Sequence, residues 1–544
     1  MGVSSAAQAG GGVTKTLAFS IFTAAFGSSF LFGYHIGVMN APQTIIGLWI
    51  RQVKCKRNNG VVSQEEGESD DVWCSKLDAA GETNMFKNVE LNTLWTLIVA
   101  MLSTGALIGA LSTNFFATKF GRRTTLWYNS LTGILAAAIL GFAYLANSFE
   151  MLIVGRLIAG FNAGISSGLP PMYFSEISPA SLRGALGTVH QLSIVIAIWF
   201  SQIFGLPYIL GNEWGWPILL GFSAVPAVYQ LVALAFCPES PTYLYVEKRE
   251  EIAARSALIR LRGTSNVEAE LEEIRQEYEK TKNDPAISIA DLFRDSFLRQ
   301  VTLIAGGLML CQQLSGIDAV MFYSTAIFKS AGLQEGNQAV YATIATGGVN
   351  VLMTVASLFL VEKAGRKVLL LIGYSGMLVF MTLLTIFMLQ TKATEPPVEE
   401  ARPIGGMNPF AIGSTICLIG YIVFFATGPG SIPWFLVSEL FTTAPRAAAT
   451  SVAVGVNRFC SLLIAITFPY LNNAINEYTF IIFVTILTLI IMFTKFFVIE
   501  TKGKTTEQVQ HELRYGSKHR AIQGDDVKYP SRPPLGVDQA EARL

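Results

Sequence analysis

Residues 119–125 read KFGRRTT and residues 362–368 read EKAGRKV. Each closes one apolar run and opens the next, and two further pairs repeat in the same order. SEISPASLRGA at 175–185 answers SELFTTAPRAA at 438–448, and PESPTYLYVEK at 238–248 answers IETKGKT at 499–505. Three paired signatures at matching places make the chain a duplicated unit whose two halves are expected to fold alike.

Composition says what kind of unit this is. Charged residues make up 14% and hydrophobic residues 51%, with a mean hydropathy of +0.45. A soluble chain carries roughly 25% charged residues, so this one cannot cover a water-facing surface. Apolar runs of about 20 residues, enough to cross ~30 Å of hydrocarbon, lie near 17–38, 91–113, 124–146, 151–169, 186–207 and 216–236. A second six lie near 300–328, 339–361, 368–390, 411–441, 447–470 and 477–498. The first run lacks a cleavage site of small residues and is expected to be retained as a span.

The polar stretch 241–297 has apolar residues at helical spacing and is expected to form short amphipathic helices on the membrane surface. The expected organisation is therefore a first bundle over 1–240, a helical domain over 241–297, a second bundle over 298–500 and a partly disordered tail over 501–544. Lys119, Arg122, Arg123, Arg183, Lys363, Arg366, Lys367 and Arg446 fall in loops on one side. That bias puts this side and both termini in the cytoplasm, with the plasma membrane as the expected location. The loop 41–90 also holds cations but is too long to guide orientation, and is expected outside.

Net charge is zero, which gives no reason to expect a nucleic-acid partner. Cys237, Cys311, Cys417 and Cys460 lie in or beside apolar runs and read as small buried residues, whereas Cys55 and Cys74 share the long loop and are candidates for a disulfide. No nucleophile–base set, metal-ligand cluster or phosphate-binding glycine loop stands out, so neither an enzyme nor a metal or cofactor is expected. Inside the fifth run, Gln191, Val195, Ile198 and Gln202 recur on one helical face, a pattern suited to a hydrated path.

With GRR, SEISPASLRG, PESP, QQLSG, EKAGRK, GPGSIPWF and ETKG in this order, residues 15–505 resemble the sugar-porter branch of the major facilitator superfamily, closest to the facilitative glucose transporters of animals. The resemblance implies an all-α membrane protein with the major facilitator fold: twelve transmembrane helices in two six-helix bundles plus a cytoplasmic helical domain. It implies uniport of a hexose, glucose foremost, by alternating access, with hexose and membrane lipid as partners; oligomeric state is left open. It assigns hexose binding to Gln191, Gln312, Gln313, Asn350 and Trp434, to which Asp318, Asn457 and Arg458 are added from the same pocket positions. Gln202, Ile194, Ile198 and Tyr323 are expected to line the path or pack helices.

Charged residues beside the repeats are expected to form a cytoplasmic gate: Arg122, Arg123, Glu176, Arg183 and Glu239 on the first bundle, Glu362, Arg366, Glu439 and Arg446 on the second. Weak near-surface ion pairs there would latch the outward-open state and break on inward opening. The chain departs from the family pattern at four pocket positions, Asp318, Ala426, Arg458 and Ser461. Two departures add opposite charges, which leads to the expectation of an Asp318–Arg458 ion pair. The rival arrangement leaves Asp318 to titrate alone and opens proton-coupled symport through Asp318 or through His35, which neighbours Arg156. A non-transporting sugar sensor is the third reading.

Overall fold

The computed structural model describes residues 13–57, 89–179, 183–281, 288–331, 333, 338–393, 409–504 and 506–515. Cys74 and the tail from 516 onward lie outside the described residues, as do the side chains of Cys55, Arg183 and Glu362. Among the described residues all regular structure is helical. Ten helical segments are long and apolar enough to cross a membrane. One of them, Ala448–Phe497, is really two helices, parted where Asn476 takes φ 47°. With the shorter apolar helix Arg183–Phe204, the set of twelve expected from hydropathy is complete.

The first six spans are Lys15–Gly37, Val89–Phe120, Arg122–Phe142, Phe149–Ile177, Arg183–Phe204 and Trp216–Phe236. The second six are Ser296–Ser330, Gln338–Ala364, Arg366–Ala393, Pro409–Leu440, Thr443–Ile475 and Thr479–Phe497. Between the sets, Glu251–Arg262 and Glu268–Thr281 bury Ala254, Leu258, Val267 and Leu271 against one another. Arg262 pairs with Glu270 at 2.7 Å and donates to the carbonyl of Ile177 at 2.8 Å, while Arg260 donates to the carbonyl of Phe236 at 2.8 Å. These bonds dock the middle helices on the ends of the fourth and sixth spans. That end of the molecule is called the linker end below, and the opposite one the far end.

Spans cannot be driven together by the hydrophobic effect in lipid, because hydrocarbon is as apolar as they are; close van der Waals contact has to do it. The second and fourth spans show how. A Cβ on Gly105 would lie 2.1 Å from the carbonyl oxygen of Leu157, and one on Gly160 2.2 Å from that of Leu102. The two backbones therefore touch at these glycines.

The seam between the bundles is bonded in its far half. Asn40, in the turn after the first span, donates to the carbonyl of Met321 at 3.2 Å and to Ser324, and accepts from the amide of Thr325 at 3.2 Å. Ser103 meets Ser461 at 3.1 Å, Tyr470 donates to Thr93 at 3.2 Å, and Tyr208 donates to Tyr341 at 2.6 Å. The far end is thus closed.

Replacing Gly160 with leucine forces the second and fourth spans apart. We expect a loss of about 1–3 kcal/mol or more of stability, seen as a lower thermal midpoint of the purified protein in detergent; an unchanged midpoint would contradict the contact.

Candidate binding site

The site begins at a fault in the seventh span. Over Gln313–Ile317 the helix is wound wider than an α-helix, and Gly316 takes φ 101°, a backbone setting that side chains disfavour. A Cβ there would also press on the ring of Phe483 at 3.0 Å. The tenth span is broken too, between Thr427 and Ile432, and its freed carbonyls need donors. Gln312 supplies them, donating through Nε2 to the oxygens of Pro429 and Gly430 at 2.9 Å each. Asn457 of the eleventh span donates to Oε1 of Gln312 at 2.9 Å and accepts from Nε2 of Gln313 at 3.0 Å. Three predicted residues, Gln312, Gln313 and Asn457, are thereby joined, with Oε1 of Gln313 left unpartnered.

Other predicted residues surround this knot without bonding to it. Gln191 is half-buried on the fifth span, with Ile194 and Ile198 buried beyond it. Gln202 is buried against Gly347 of the eighth span, where a Cβ would lie 2.3 Å from its Oε1; that oxygen has no partner. Asn350 is buried with its Oδ1 equally unpartnered. Tyr323 serves packing: its hydroxyl donates to the carbonyl of Ala465 at 3.2 Å and its ring stacks on Phe468 at 5.3 Å.

Asp318 and Arg458 do not form the ion pair expected of them. Arg458 instead holds its guanidinium between two rings, 4.8 Å from the centre of Phe32 and 5.5 Å from that of Trp434. Aromatic faces attract a desolvated cation strongly enough to compete with a carboxylate that is not in contact. Asp318 makes no salt bridge among the described residues, and its Oδ2 has no hydrogen-bond partner. Trp434 also meets the ring of His190 edge-on at 6.4 Å, and His190 shares a 2.8 Å bond with Ser29. Arg156, fully buried, donates to the backbone carbonyl of His35 at 2.8 Å, and neither ring nitrogen of that histidine is bonded.

At the linker end the two halves use one device twice. Arg122 pairs with Glu176 at 2.9 Å, and Arg366 pairs with Glu439 at 3.1 Å. Glu239 accepts from the backbone amides of Arg122 and Arg123 at 3.0 and 2.9 Å, and Glu500 from those of Arg366 and Lys367 at 2.9 and 3.0 Å. Each carboxylate thus sits at the positive N-terminus of the third or ninth span. Arg123 donates to the carbonyl of Cys237 at 3.1 Å, and Arg446 to that of Phe441 at 3.3 Å. All these contacts stay within one bundle and are formed while the far end is closed. They therefore knit each bundle together, which differs from the expected latch specific to an outward-open state.

Glu500 is a partner that the sequence reading left out of the gate although IETKGKT had been paired with PESP; the alignment of those two motifs was the available signal. Phe32, His190 and Asn40 carried no such signal, since an isolated aromatic or polar residue in an apolar run does not reveal what it faces.

An all-helical duplicated membrane fold with amides gathered where the two halves meet defines a solute carrier of the major facilitator type. The chain belongs to the sugar transporter family, whose model, described as "Sugar (and other) transporter", matches residues 20–513. It is 40% identical over 519 residues to "Solute carrier family 2, facilitated glucose transporter member 1" of Gallus gallus, covering 95% of this chain and 98% of that one. To "Solute carrier family 2, facilitated glucose transporter member 3" of Homo sapiens it is 41% identical over 509 residues, 94% of each chain. Among solved structures, the proton:xylose symporter XylE bound to 6-bromo-6-deoxy-D-glucose shares the fold with a TM-score of 0.67 at 24% identity, over 91% of this chain and 98% of that one.

Glu239→Gln and Glu500→Gln each weaken a charge-assisted cap on a span. We expect each to cost about 1–3 kcal/mol, by the same amount in the two halves, in thermal melts of the protein in detergent. A loss confined to one of them would show that the repeats are not equivalent.

Proposed function

We propose that this protein carries hexoses, glucose foremost, down their gradient by opening a central site alternately to the two sides of the membrane. The observation that carries the reading is the bonded knot of Gln312, Gln313 and Asn457 between three spans of one bundle, with Gln191 and Gln202 on the fifth span of the other. Unpaired amide oxygens on Gln313, Gln202 and Asn350 are acceptors for the edge of a polyol. Neutral hydrogen bonds at about 1 kcal/mol each, less the cost of association, give an affinity nearer millimolar than nanomolar, which suits a carrier that must release its cargo. The relatives named as facilitated glucose transporters support the same choice of substrate.

In this reading the linker end faces the cytoplasm with both termini, the middle helices form a cytoplasmic domain, and the plasma membrane is the place of work. The closed far end then corresponds to an inward-facing arrangement. The membrane-spanning core supports transport better than sensing, because the far-half seam is built largely from hydrogen bonds that can exchange for water.

A second reading, proton-coupled symport, rests on Asp318, whose Oδ2 has no hydrogen-bond partner. His35 supports it less, since Arg156 engages the backbone of that residue and not its ring.

In proteoliposomes without a pH gradient, preloaded unlabelled glucose should drive transient uptake of labelled glucose, and Gln313→Ala should raise KM by about tenfold, the effect of one lost contact. Exchange that appears only under an imposed pH step would replace uniport with symport. No exchange of any hexose would end the carrier reading.

A further inference from the structure

The fifth and eighth spans, one from each half, lie against each other with rows of uncharged side chains between them. Gln191, Val195, Trp199 and Gln202 share one face of the fifth span, and Thr343, Gly347, Asn350 and Thr354 share one face of the eighth. Two adjacent glycines let the rows touch. A Cβ on Gly347 would lie 2.3 Å from Oε1 of Gln202 and 3.0 Å from the indole Cδ1 of Trp199, and one on Gly348 would lie 3.3 Å from Nε1 of that indole.

Three polar atoms at this crossing have no hydrogen-bond partner: the Nε1 donor of Trp199 and the acceptors Oε1 of Gln202 and Oδ1 of Asn350. Gln202 is 3% exposed and Asn350 2%, so neither amide is met by bulk water. An unmet polar group at such depth is destabilising, and a ligand rich in hydroxyls is what would satisfy three of them. Nε1 and Oε1 border the same glycine pair, within reach of one hydroxyl that accepts from the indole and donates to the amide. Asn350 lies one turn nearer the linker end and continues the row of acceptors.

A hexose also presents a flat face of C–H groups, which suits an aromatic ring. One face of Trp434 is taken by the guanidinium of Arg458 at 5.5 Å. Trp199 offers a second indole, half-buried and on the same helical face as Gln191. We infer, building on the hexose-carrier reading and deepening it, that Trp199 is a sugar-contacting residue that sets specificity: its N–H and Oε1 of Gln202 together hold one hydroxyl of a neutral hexose, while its ring packs on the adjoining C–H face. The two polar atoms are shut between the spans while the far end is closed. The sugar therefore gains this contact when the halves part there and loses it when they close, which loosens the grip before release towards the linker end.

The test compares the full-length protein with Trp199→Phe, which keeps a ring and removes the N–H, and with Gln202→Leu, which keeps much of the bulk and removes the acceptor. Glucose and its monodeoxy analogues compete against labelled glucose counterflow in proteoliposomes, and the same sugars are titrated by thermal stabilisation in detergent. The quantity read is the half-inhibitory concentration of each analogue relative to that of glucose. Both variants should lower this ratio by about threefold to tenfold, the effect of one neutral hydrogen bond, for one and the same analogue, the one that lacks the hydroxyl they hold. A role in packing alone would shift glucose and every analogue together. Such a uniform shift, unaltered ratios, or relief of different analogues by the two variants overturns the inference and leaves the hexose carrier standing. Where a variant carries no sugar, thermal stabilisation supplies the same ratio. Absence of exchange and of stabilisation with every hexose in the unmodified protein overturns the carrier reading, and the role of Trp199 with it.

Discussion

A peptide group that leaves its helix inside hydrocarbon finds no water to bond, so each break in a span has to be placed where protein can supply a partner. The breaks in this molecule obey that constraint together. The carbonyls freed in the tenth span at Pro429 and Gly430 are taken up by one amide, Gln312, from the fault in the seventh span. The hydroxyl of Tyr421 meets the carbonyl of Ser315 in that same fault at 3.1 Å. The first span of the other bundle is likewise wound wide over Ala25–Phe30, directly before Phe32. Irregular backbone, polar side chains and the seam between bundles coincide because each needs the others.

Duplication accounts for much of the remaining plan. Gly121 and Gly365 take φ values of 94° and 93°, and in each a Cβ would come within 2.7 Å of a carboxylate oxygen, of Glu239 or of Glu500. A short turn, a carboxylate over the next helix and an arginine reaching back to Glu176 or Glu439 recur as one unit. Because these bonds lie inside each half, they make a bundle that can move as a body. The hydrogen bonds between halves are mostly between neutral groups, such as those of Asn40 and Ser103, with Lys329 donating to Thr44 at 3.5 Å. A rigid half beside a lightly bonded seam is what a rocking motion requires.

The spans, the repeat and the amides were legible because they follow rules of period and composition: length against hydrocarbon thickness, motif against motif, and glutamines on one helical face. Buried Cys237, Cys311, Cys417 and Cys460 were legible for the same reason. What the sequence did not reveal depends on approach in space. Opposite charges at Asp318 and Arg458 suggested a pair, but the aromatic faces of Phe32 and Trp434, from two different spans, hold the guanidinium. Sequence could not weigh a ring against a carboxylate without knowing which was nearer. The motifs pointed to charged residues that do pair at the linker end, such as Arg122 with Glu176 and Arg366 with Glu439, but whether such pairs bridge bundles or brace one is a matter of assembly.

Arg458 also bears on how the two halves exchange positions. Stacked between Phe32 and Trp434, it adds a buried charged contact across a seam held largely by neutral groups, and a cation–π contact of this desolvated kind is worth about 2 kcal/mol or more. That is comparable to the gap between two states of which the minor is sparsely populated. Only the Phe32 side of this sandwich crosses between halves, so any rocking of one bundle against the other has to part Arg458 from Phe32 while leaving it free to stay on Trp434.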